Sequence, residues 1–326
     1  MVSRVPVFIR KQIKKIPGAR LSVNYLRGMK THHDPQSRLV RALPSIVAIE
    51  LTNTCNLRCA KCPLVRTSRA RGFIDDGLFG KILQDIEAAG APTEIALSGA
   101  GEPTLHPRVV DYVKAARMVP NVGVIGFATN GVALNPDLSQ RLLDAGLTRL
   151  KASLDTDDRE EYKRFNGRDA YEQAAANFLR FCEINRATGN HCRVTLKATL
   201  YNNDLSLARR LKERWAPHVY QVRVTPVHNW GGAREKGSAP LKIAPRPCSM
   251  PWQQIQILWD GQISLCCMDS MEGRFNMGNA HEINLSRYWQ HDPGLIAVRK
   301  QHQALDLSAL PVCAECDILH YHDIDL

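Results

Sequence analysis

The sequence predicts an α/β chain: a parallel sheet built by six β/α repeats, followed by a small β-hairpin and helix region rich in cysteine. Between residue 46 and about residue 226, short apolar runs of strand length alternate with longer segments whose apolar residues recur at helical spacing. From residue 230 glycine and proline mark a linker, and a hairpin signal follows. The chain is accordingly divided into an arm over 1–45, a β/α body over 46–229 and a C-terminal region over 230–326. That order of elements is compatible with a doubly wound sheet as well as with a curved one.

The elements follow in order. An apolar strand over Ile46–Leu51 leads into a loop holding Cys55, Cys59 and Cys62, then a helix over Gly77–Ala89. The strand Glu94–Leu97 runs into Ser98-Gly99-Ala100-Gly101-Glu102-Pro103, where glycine lets the backbone approach a ligand closely. A helix over Pro107–Met118, a strand over Val122–Ala128 ending at Thr129-Asn130-Gly131, and a helix over Pro136–Ala145 come next. The strand Arg149–Leu154 carries Ser153 and is followed by a helix over Ala170–Thr188. The strand Arg193–Leu200 carries Lys197, and beyond the helix Leu205–Trp215 the last strand of the body, Tyr220–Thr225, carries Arg223 with His228 just after it. Trp230-Gly231-Gly232 and the stretch from Pro240 to Pro251 read as a crossover linker. Gln254–Leu258 and Gln262–Leu265 read as a hairpin turned at Trp259-Asp260-Gly261, since Asp-Gly is a strong turn pair. A helical stretch near Leu285–Gln301 and the run Cys313-Ala314-Glu315-Cys316 complete the chain.

Length and composition fit one sizeable core with a smaller appended unit: 326 residues, 44% of them hydrophobic. No apolar run approaches the roughly 20 residues of a membrane span, and no secretory signal pattern opens the chain, so the expected compartment is the cytoplasm. Eight of the ten cysteines, clustered as 55/59/62, 248/266/267 and 313/316, read as metal ligands in a reducing compartment rather than as disulfides. Cys182 and Cys192, set apart in a helix and a strand, read as core packing. In residues 1–43 ten Lys and Arg stand against the single acid Asp34, so nine of the eleven net positive charges sit in the arm. The body is nearly neutral and no nucleic-acid groove is expected. Ile9, Ile13 and Ile16, interleaved with Arg10, Lys11, Lys14 and Lys15, would suit an interfacial helix contacting a membrane or a partner, or a solvated helix capping the body.

The spacing Cys55-x3-Cys59-x2-Cys62 carries the chemistry. A closed tetrahedral zinc or cluster site needs four ligands, and the next cysteine, Cys182, is far downstream. Three close thiolates leave one metal position open; a zinc site with a remote fourth ligand and plain core cysteines are the other readings. The motif resembles that of the radical S-adenosylmethionine (radical SAM) superfamily. The resemblance implies a partial (β/α)6 TIM-like barrel over 46–229, a [4Fe-4S] cluster on Cys55, Cys59 and Cys62, and S-adenosylmethionine bound at its open iron. It also implies that Gly99, Ala100, Gly101 and Glu102, which resemble the family's GGEP segment with Ala100 in place of one glycine, bind the cofactor's ammonium group. Asn130 and Ser153 would contact its ribose or carboxylate, with Lys197 a further candidate. Lys61 stands where the family usually has an aromatic or apolar residue.

Downstream, Cys248-x12-Gly261-x4-Cys266 and Cys313-x2-Cys316 make four thiols, a full set for one closed cluster or one zinc. The adjacent Cys267 can take the place of Cys266, because neighbouring strand residues face opposite ways. The pattern resembles the SPASM/twitch extensions of radical SAM enzymes. In a full SPASM motif two more cysteines follow, where this chain has His322 and Leu326. The shorter twitch form, as in enzymes like 2-deoxy-scyllo-inosamine dehydrogenase, implies one auxiliary [4Fe-4S] cluster on Cys248, Cys266, Cys313 and Cys316.

The resemblance implies an enzyme that cleaves S-adenosylmethionine to a 5′-deoxyadenosyl radical and takes a hydrogen atom from a substrate carbon. An auxiliary cluster with no open iron suits electron transfer, hence oxidation of a small sugar, aminocyclitol or nucleoside-like metabolite, with Arg223 or His228 as the base. Some 45 residues precede the first strand, fewer than a leader-binding winged helix takes, which favours a small-molecule substrate over a peptide. Peptide maturation, redox-neutral epimerisation or radical addition, and a non-catalytic zinc-binding interaction protein are the alternatives. A low-potential donor such as flavodoxin or ferredoxin would supply electrons.

Overall fold

The computed structural model describes residues 41–201, 204–234 and 247–317. The arm up to residue 40, the linker residues 235–246 and the positions of His322 and Leu326 lie outside the described residues.

Six strands form in the order expected: β1 (Ile46–Ile49), β2 (Thr93–Ala96), β3 (Val122–Thr129), β4 (Arg149–Ser153), β5 (Arg193–Leu200) and β6 (Gln221–Pro226). Each pairs in parallel with the next, so all their C-terminal ends open on one side. Helices cover the outer face: α1 (Asp76–Ala89), α2 (Val109–Met118), α3 (Pro136–Asp144), α4 (Arg159–Asn166), α5 (Tyr171–Ala187) and α6 (Leu205–Trp215). Local chemistry sets their ends. Asp75 caps α1, accepting from the Leu78 N–H at 2.8 Å, and Gly90, with φ +61°, closes it in the left-handed region. The arrangement is the expected partial barrel.

Strand alternation sorts the two faces of the sheet. In β4, Leu150 and Ala152 are buried under the helices, while Arg149, Lys151 and Ser153 face the barrel interior. β5 repeats this: Val194, Leu196 and Ala198 are buried, and Arg193, Thr195 and Lys197 face inward. Ile82 and Ile86 of α1, Phe178 and Phe181 of α5 and Trp215 of α6 fill the layer between sheet and helices. The apolar core is thus the sheet–helix layer, and the barrel interior is polar.

The C-terminal hairpin does not stand apart. β7 (Gln254–Ile257) pairs in parallel with the free edge of β1, and β8 (Gln262–Ser264) and β9 (Asn276–Asn279) follow antiparallel. One nine-stranded sheet results, in the order β6-β5-β4-β3-β2-β1-β7-β8-β9. The turn is as expected: the Gly261 N–H donates to the Leu258 carbonyl at 3.0 Å and Gly261 takes φ +87°.

Three elements differ from expectation. α4 is strongly charged and shows little apolar periodicity, yet Asp158 caps it and Gly167 ends it. The helix expected over Leu285–Gln301 is two, α7 (Leu285–His291) and α8 (Pro293–Ala304), because Pro293 cannot continue a helix and Asp292 caps the second. A short α9 (Pro311–Glu315) carries Cys313. Among the described residues no helix is long and apolar enough to cross a membrane.

Candidate cluster and cofactor site

The loop after β1 holds Cys55, Cys59 and Cys62, all half-buried. It is fastened from several sides. The Arg58 and Ala60 N–H groups donate to the Asn166 and Phe165 carbonyls of α4, at 3.0 and 2.7 Å. Arg71 donates to the Asn53 and Leu64 carbonyls at 2.5 and 2.7 Å. Glu50, fully buried at the end of β1, accepts two hydrogen bonds from Arg69, one from the Ala100 N–H at 2.9 Å and one from the Trp259 N–H at 3.2 Å. One carboxylate therefore joins the cysteine loop, the segment after β2 and the C-terminal hairpin. As a lone acid at the end of an apolar strand, it gave no sequence signal of this role.

Beside the cysteines runs Gly99–Glu102. A Cβ on Gly101 would lie 2.4 Å from the Thr52 carbonyl oxygen and 2.5 Å from that of Thr54, so only glycine allows this approach. The Glu102 N–H donates to the Thr54 carbonyl at 2.8 Å. The Glu102 carboxyl, 2% exposed, accepts from the Thr104 N–H and hydroxyl, the Thr129 hydroxyl and the Asn130 N–H. Burial raises its pKa, and those hydrogen bonds oppose the rise. So engaged, the side chain ties the end of β2 to the end of β3. The Asn130 amide in turn donates to Asn56 Oδ1 at 2.7 Å and to Cys55 Sγ at 3.8 Å.

These residues line a cavity of about 920 Å³ that continues over the C-terminal ends and inner face of β4–β6. Ser153, Lys197, Arg223 and His228 line it, with Lys151, Asp155, Tyr162 and Trp230. The structure therefore brings all the expected body residues to one site. Lys61 forms an ion pair with the buried Asp155, whose other oxygen accepts the Thr199 N–H at 2.8 Å. His228 Nδ1 is buried with no hydrogen-bond partner among the described residues; burial, then the charges of Lys197, Lys61 and Arg234, hold the ring neutral down to about 3. Lys151 and Asp155 were missed as site residues, although the period-two alternation of Arg149-Leu150-Lys151-Ala152-Ser153 was a readable signal for Lys151.

In the C-terminal region, Cys266 and Cys267 sit in the turn after β8, not on the strand. The buried Asp269 organises that turn by accepting from the Ser264 hydroxyl and the Arg274 and Phe275 N–H groups, each at 3.1 Å. Burial raises the thiols most; after it, Cys266 feels Cys267 and Cys248, and Cys313 feels Cys248 and Cys316. For Cys267 the charges that act after burial are those of Lys197 and Lys151. Cys182 and Cys192 are buried in the core, where desolvation pushes them to about 11 and about 12.

Residues 49–197 match the family model of the Radical SAM superfamily, and residues 248–317 match that of SPASM, an iron–sulfur cluster-binding domain. The chain belongs to the radical SAM superfamily and carries a C-terminal SPASM region. A GTP 3′,8-cyclase of Chlorobaculum tepidum is 34% identical over 129 residues, 40% of this chain and 38% of that protein. The curated relatives are matched over less than half of their own length. Among solved structures, BtrN in complex with AdoMet and 2-DOIA shares 18% identity and a TM-score of 0.57, covering 84% of this chain and 93% of that one. SuiB of Streptococcus suis, bound to the precursor peptide SuiA, shares 14% identity and a TM-score of 0.65, covering 93% and 74%. Both likenesses concern the fold.

With the family come S-adenosylmethionine and a [4Fe-4S] cluster, and with the SPASM region an auxiliary iron–sulfur cluster on cysteines. The donor set fits. Burial raises Cys55 to about 11 and Cys59 to about 12, so these thiols ionise only when a strong positive charge lies among them, as iron supplies. Among the described residues no three His, Cys, Asp or Glu side chains converge on a single ion.

Proposed function

We propose that the chain is a radical SAM oxidoreductase of a small sugar, aminocyclitol or nucleoside-like metabolite. The observation that carries this is one continuous cavity of about 920 Å³, which joins the three-cysteine loop, Gly99–Glu102, Asn130, Ser153 and Lys197. Small-molecule sites span roughly 300–1,000 Å³, so this one has room for a nucleoside-sized cofactor and a metabolite beside it. The fold likeness to BtrN, described with AdoMet and 2-DOIA, agrees with that reading.

In this reading Cys55, Cys59 and Cys62 hold the first cluster, and Cys248, Cys266, Cys313 and Cys316 the auxiliary one. Bound there, the clusters would supply electron transfer: the one on Cys55, Cys59 and Cys62 for reductive cleavage of S-adenosylmethionine to methionine and a 5′-deoxyadenosyl radical, the other for taking up the second electron of a substrate oxidation. Backbone groups of Gly99–Gly101 receive the cofactor ammonium, with Glu102 holding their position, and Asn130, Ser153 and Lys197 orient its remaining polar groups. Of the two base candidates, His228 lines the cavity with its ring neutral and has a nitrogen lone pair that could accept a proton. Arg223 offers donors and no acceptor, so it holds charge rather than acting as the base. The division into a 46–229 barrel and a 230–326 cluster region follows the same assignment, with a low-potential flavodoxin or ferredoxin as donor.

Peptide maturation is the second reading, favoured by the likeness to SuiB with its precursor peptide. The test is anaerobic reconstitution of the wild type and of Cys55/Cys59/Cys62→Ala, with 5′-deoxyadenosine measured after dithionite and S-adenosylmethionine. The wild type should hold about eight iron and the variant about four, given four iron per cluster, with cleavage only in the wild type. Zinc in place of iron, or no cleavage by a fully loaded wild type, overturns the reading.

A further inference from the structure

The last turn of α4 grips the cysteine loop on both sides of Cys59. The Arg58 N–H donates to the Asn166 carbonyl at 3.0 Å and the Ala60 N–H to the Phe165 carbonyl at 2.7 Å, so both residues flanking Cys59 are bonded to this helix. Tyr162 stands three and four residues before those acceptors, one helical turn back. It is 1% exposed, its ring meets that of Tyr171 edge-on at 5.8 Å, and it lines the cavity together with Cys55, Cys59 and Cys62. Packing therefore fixes the ring, yet its hydroxyl is buried with no hydrogen-bond partner among the described residues. A buried donor left open is costly, and one in a native fold calls for an acceptor.

The nearby carboxylates are engaged elsewhere. Glu102 accepts from four protein donors, and Asp155 from Lys61 and the Thr199 N–H. The three thiols differ in what reaches them. Cys55 receives the Leu57 N–H and the Asn130 amide, and Cys62 receives the Leu64 N–H. On Cys59 only burial and neighbouring charges act, and no described residue donates a hydrogen bond to its sulfur. Tyr162 is the complement: after burial, the charge that acts most on its hydroxyl is that of Cys59, ahead of Asp155, Cys55 and Glu102. Tyr201, whose buried hydroxyl is open as well, feels Asp155 before Cys59. A donor without an acceptor and a sulfur without a donor thus share one wall of the cavity.

We propose that the Tyr162 hydroxyl donates a hydrogen bond to the Cys59 sulfur once that thiolate holds the first cluster, and that this bond raises the cluster's reduction potential. An ionised acceptor makes the stronger hydrogen bond, and a cluster that has gained an electron carries more negative charge on its sulfurs, so the bond favours the reduced form. The inference rests on the assignment of Cys55, Cys59 and Cys62 to the first cluster. It goes beyond that assignment by naming a residue outside the cysteine motif that sets how readily the cluster takes up an electron. It also gives α4 a task besides holding the loop.

The test is a potentiometric titration, followed by electron paramagnetic resonance, of the reconstituted full-length wild type and Tyr162→Phe without S-adenosylmethionine. Phenylalanine keeps the ring and removes only the hydroxyl, which has no partner in the protein, so iron and sulfide content should equal that of the wild type. The reduction equilibrium of the first cluster should shift about 10-fold toward the oxidised form, a potential about 59 mV more negative for one electron. The auxiliary cluster, whose signal is identified in Cys55/Cys59/Cys62→Ala, should stay within about twofold of its wild-type equilibrium in the same Tyr162→Phe sample. A second reading is the coupling of exchangeable protons to the reduced first cluster, in which Tyr162→Phe should lack one proton that the wild type shows. An unchanged first-cluster potential, an equal shift of both clusters, or an unaltered set of exchangeable couplings overturns the proposal. A wild type that binds no iron at Cys55, Cys59 and Cys62 instead overturns the cluster assignment on which it rests.

Discussion

Gly101→Ala probes how closely the cofactor segment must approach the cysteine loop. The added Cβ would meet the Thr52 and Thr54 carbonyl oxygens at 2.4 and 2.5 Å and the Asn53 carbonyl carbon at 2.9 Å. All three are backbone atoms, so no side chain can swing away. An ordinary contact begins near 3.4 Å, which requires the two segments to part by about 1 Å. The hydrogen bond from the Glu102 N–H to the Thr54 carbonyl, now 2.8 Å, would be stretched past useful length. Overpacking of this kind costs about 1–3 kcal/mol of stability. A displacement of about 1 Å at a reacting site can lower a rate about 100-fold, and the cofactor contact proposed for Gly99–Gly101 would move with the segment. The assay is 5′-deoxyadenosine formation per loaded cluster, with Gly123→Ala as control, since a Cβ on Gly123 meets nothing within 4 Å. Gly101→Ala at wild-type rate, with iron content equal to the control, would refute the placement of the cofactor against this segment.

Three further outcomes follow from the same geometry. Cys266→Ser should drop iron from about eight to about four per chain, one cluster's worth, while Cys267→Ser should leave it near eight, because the other cysteines, Cys248 among them, act on Cys266 whereas the lysines Lys197 and Lys151 act on Cys267; equal loss in both would remove the distinction. Glu50→Ala should destabilise the fold by about 3–5 kcal/mol, the cost of leaving one partner of a buried ion pair alone, read as a lower denaturant midpoint, and Glu50→Leu with Arg69→Met should recover much of it. For His228, the folded pKa of about 3 lies below the usual 6.5, so the unfolded chain binds a proton that the folded chain refuses. Its contribution to stability is intact above the unfolded pKa and is lost as pH falls, by about 1.4 kcal/mol per unit below roughly 6.5. His228→Gln should flatten that slope between pH 6.5 and 5, and an unchanged slope would show that the ring is not held neutral.

What the sequence made legible was whatever depends on spacing or on period. The three-cysteine loop is local, so its motif could be read directly, and the six strands of the body appeared as apolar runs because helices bury their outer faces. α4 stayed hidden: its residues are mostly charged, and its value lies in two backbone carbonyls that hold Arg58 and Ala60. β9, Asn276–Asn279, has no apolar alternation and exists because it pairs with β8. Glu50 was equally silent, since a buried carboxylate's role depends on the residues that the fold brings to it. The choice between Cys266 and Cys267 could not be read from strand alternation, because β8 ends at Ser264 and the two lie in the turn beyond it.

The continuity of the sheet explains how one chain can hold two cysteine groups in fixed relation. β7 bonds along the full length of β1, so the hairpin and the three-cysteine loop depart from neighbouring strand ends. Side-chain contacts then close the gap between them. Arg69 donates to the Ser270 carbonyl at 2.6 Å and the Thr67 hydroxyl to the Met271 carbonyl at 2.9 Å. On the other flank, Trp230 Nε1 donates to the Lys61 carbonyl at 2.9 Å, while Asn229 and Asp317 bond reciprocally through backbone and side chain. The Trp230-Gly231-Gly232 turn that makes this possible takes φ of +53°, +59° and +85°, and a Cβ on Gly232 would strike Glu315 of α9. A flexible tether would let the distance between two redox sites vary. A turn of this kind, pressed on both the first cysteine loop and the Cys313–Cys316 segment, keeps it constant, which is what electron transfer between the proposed clusters requires.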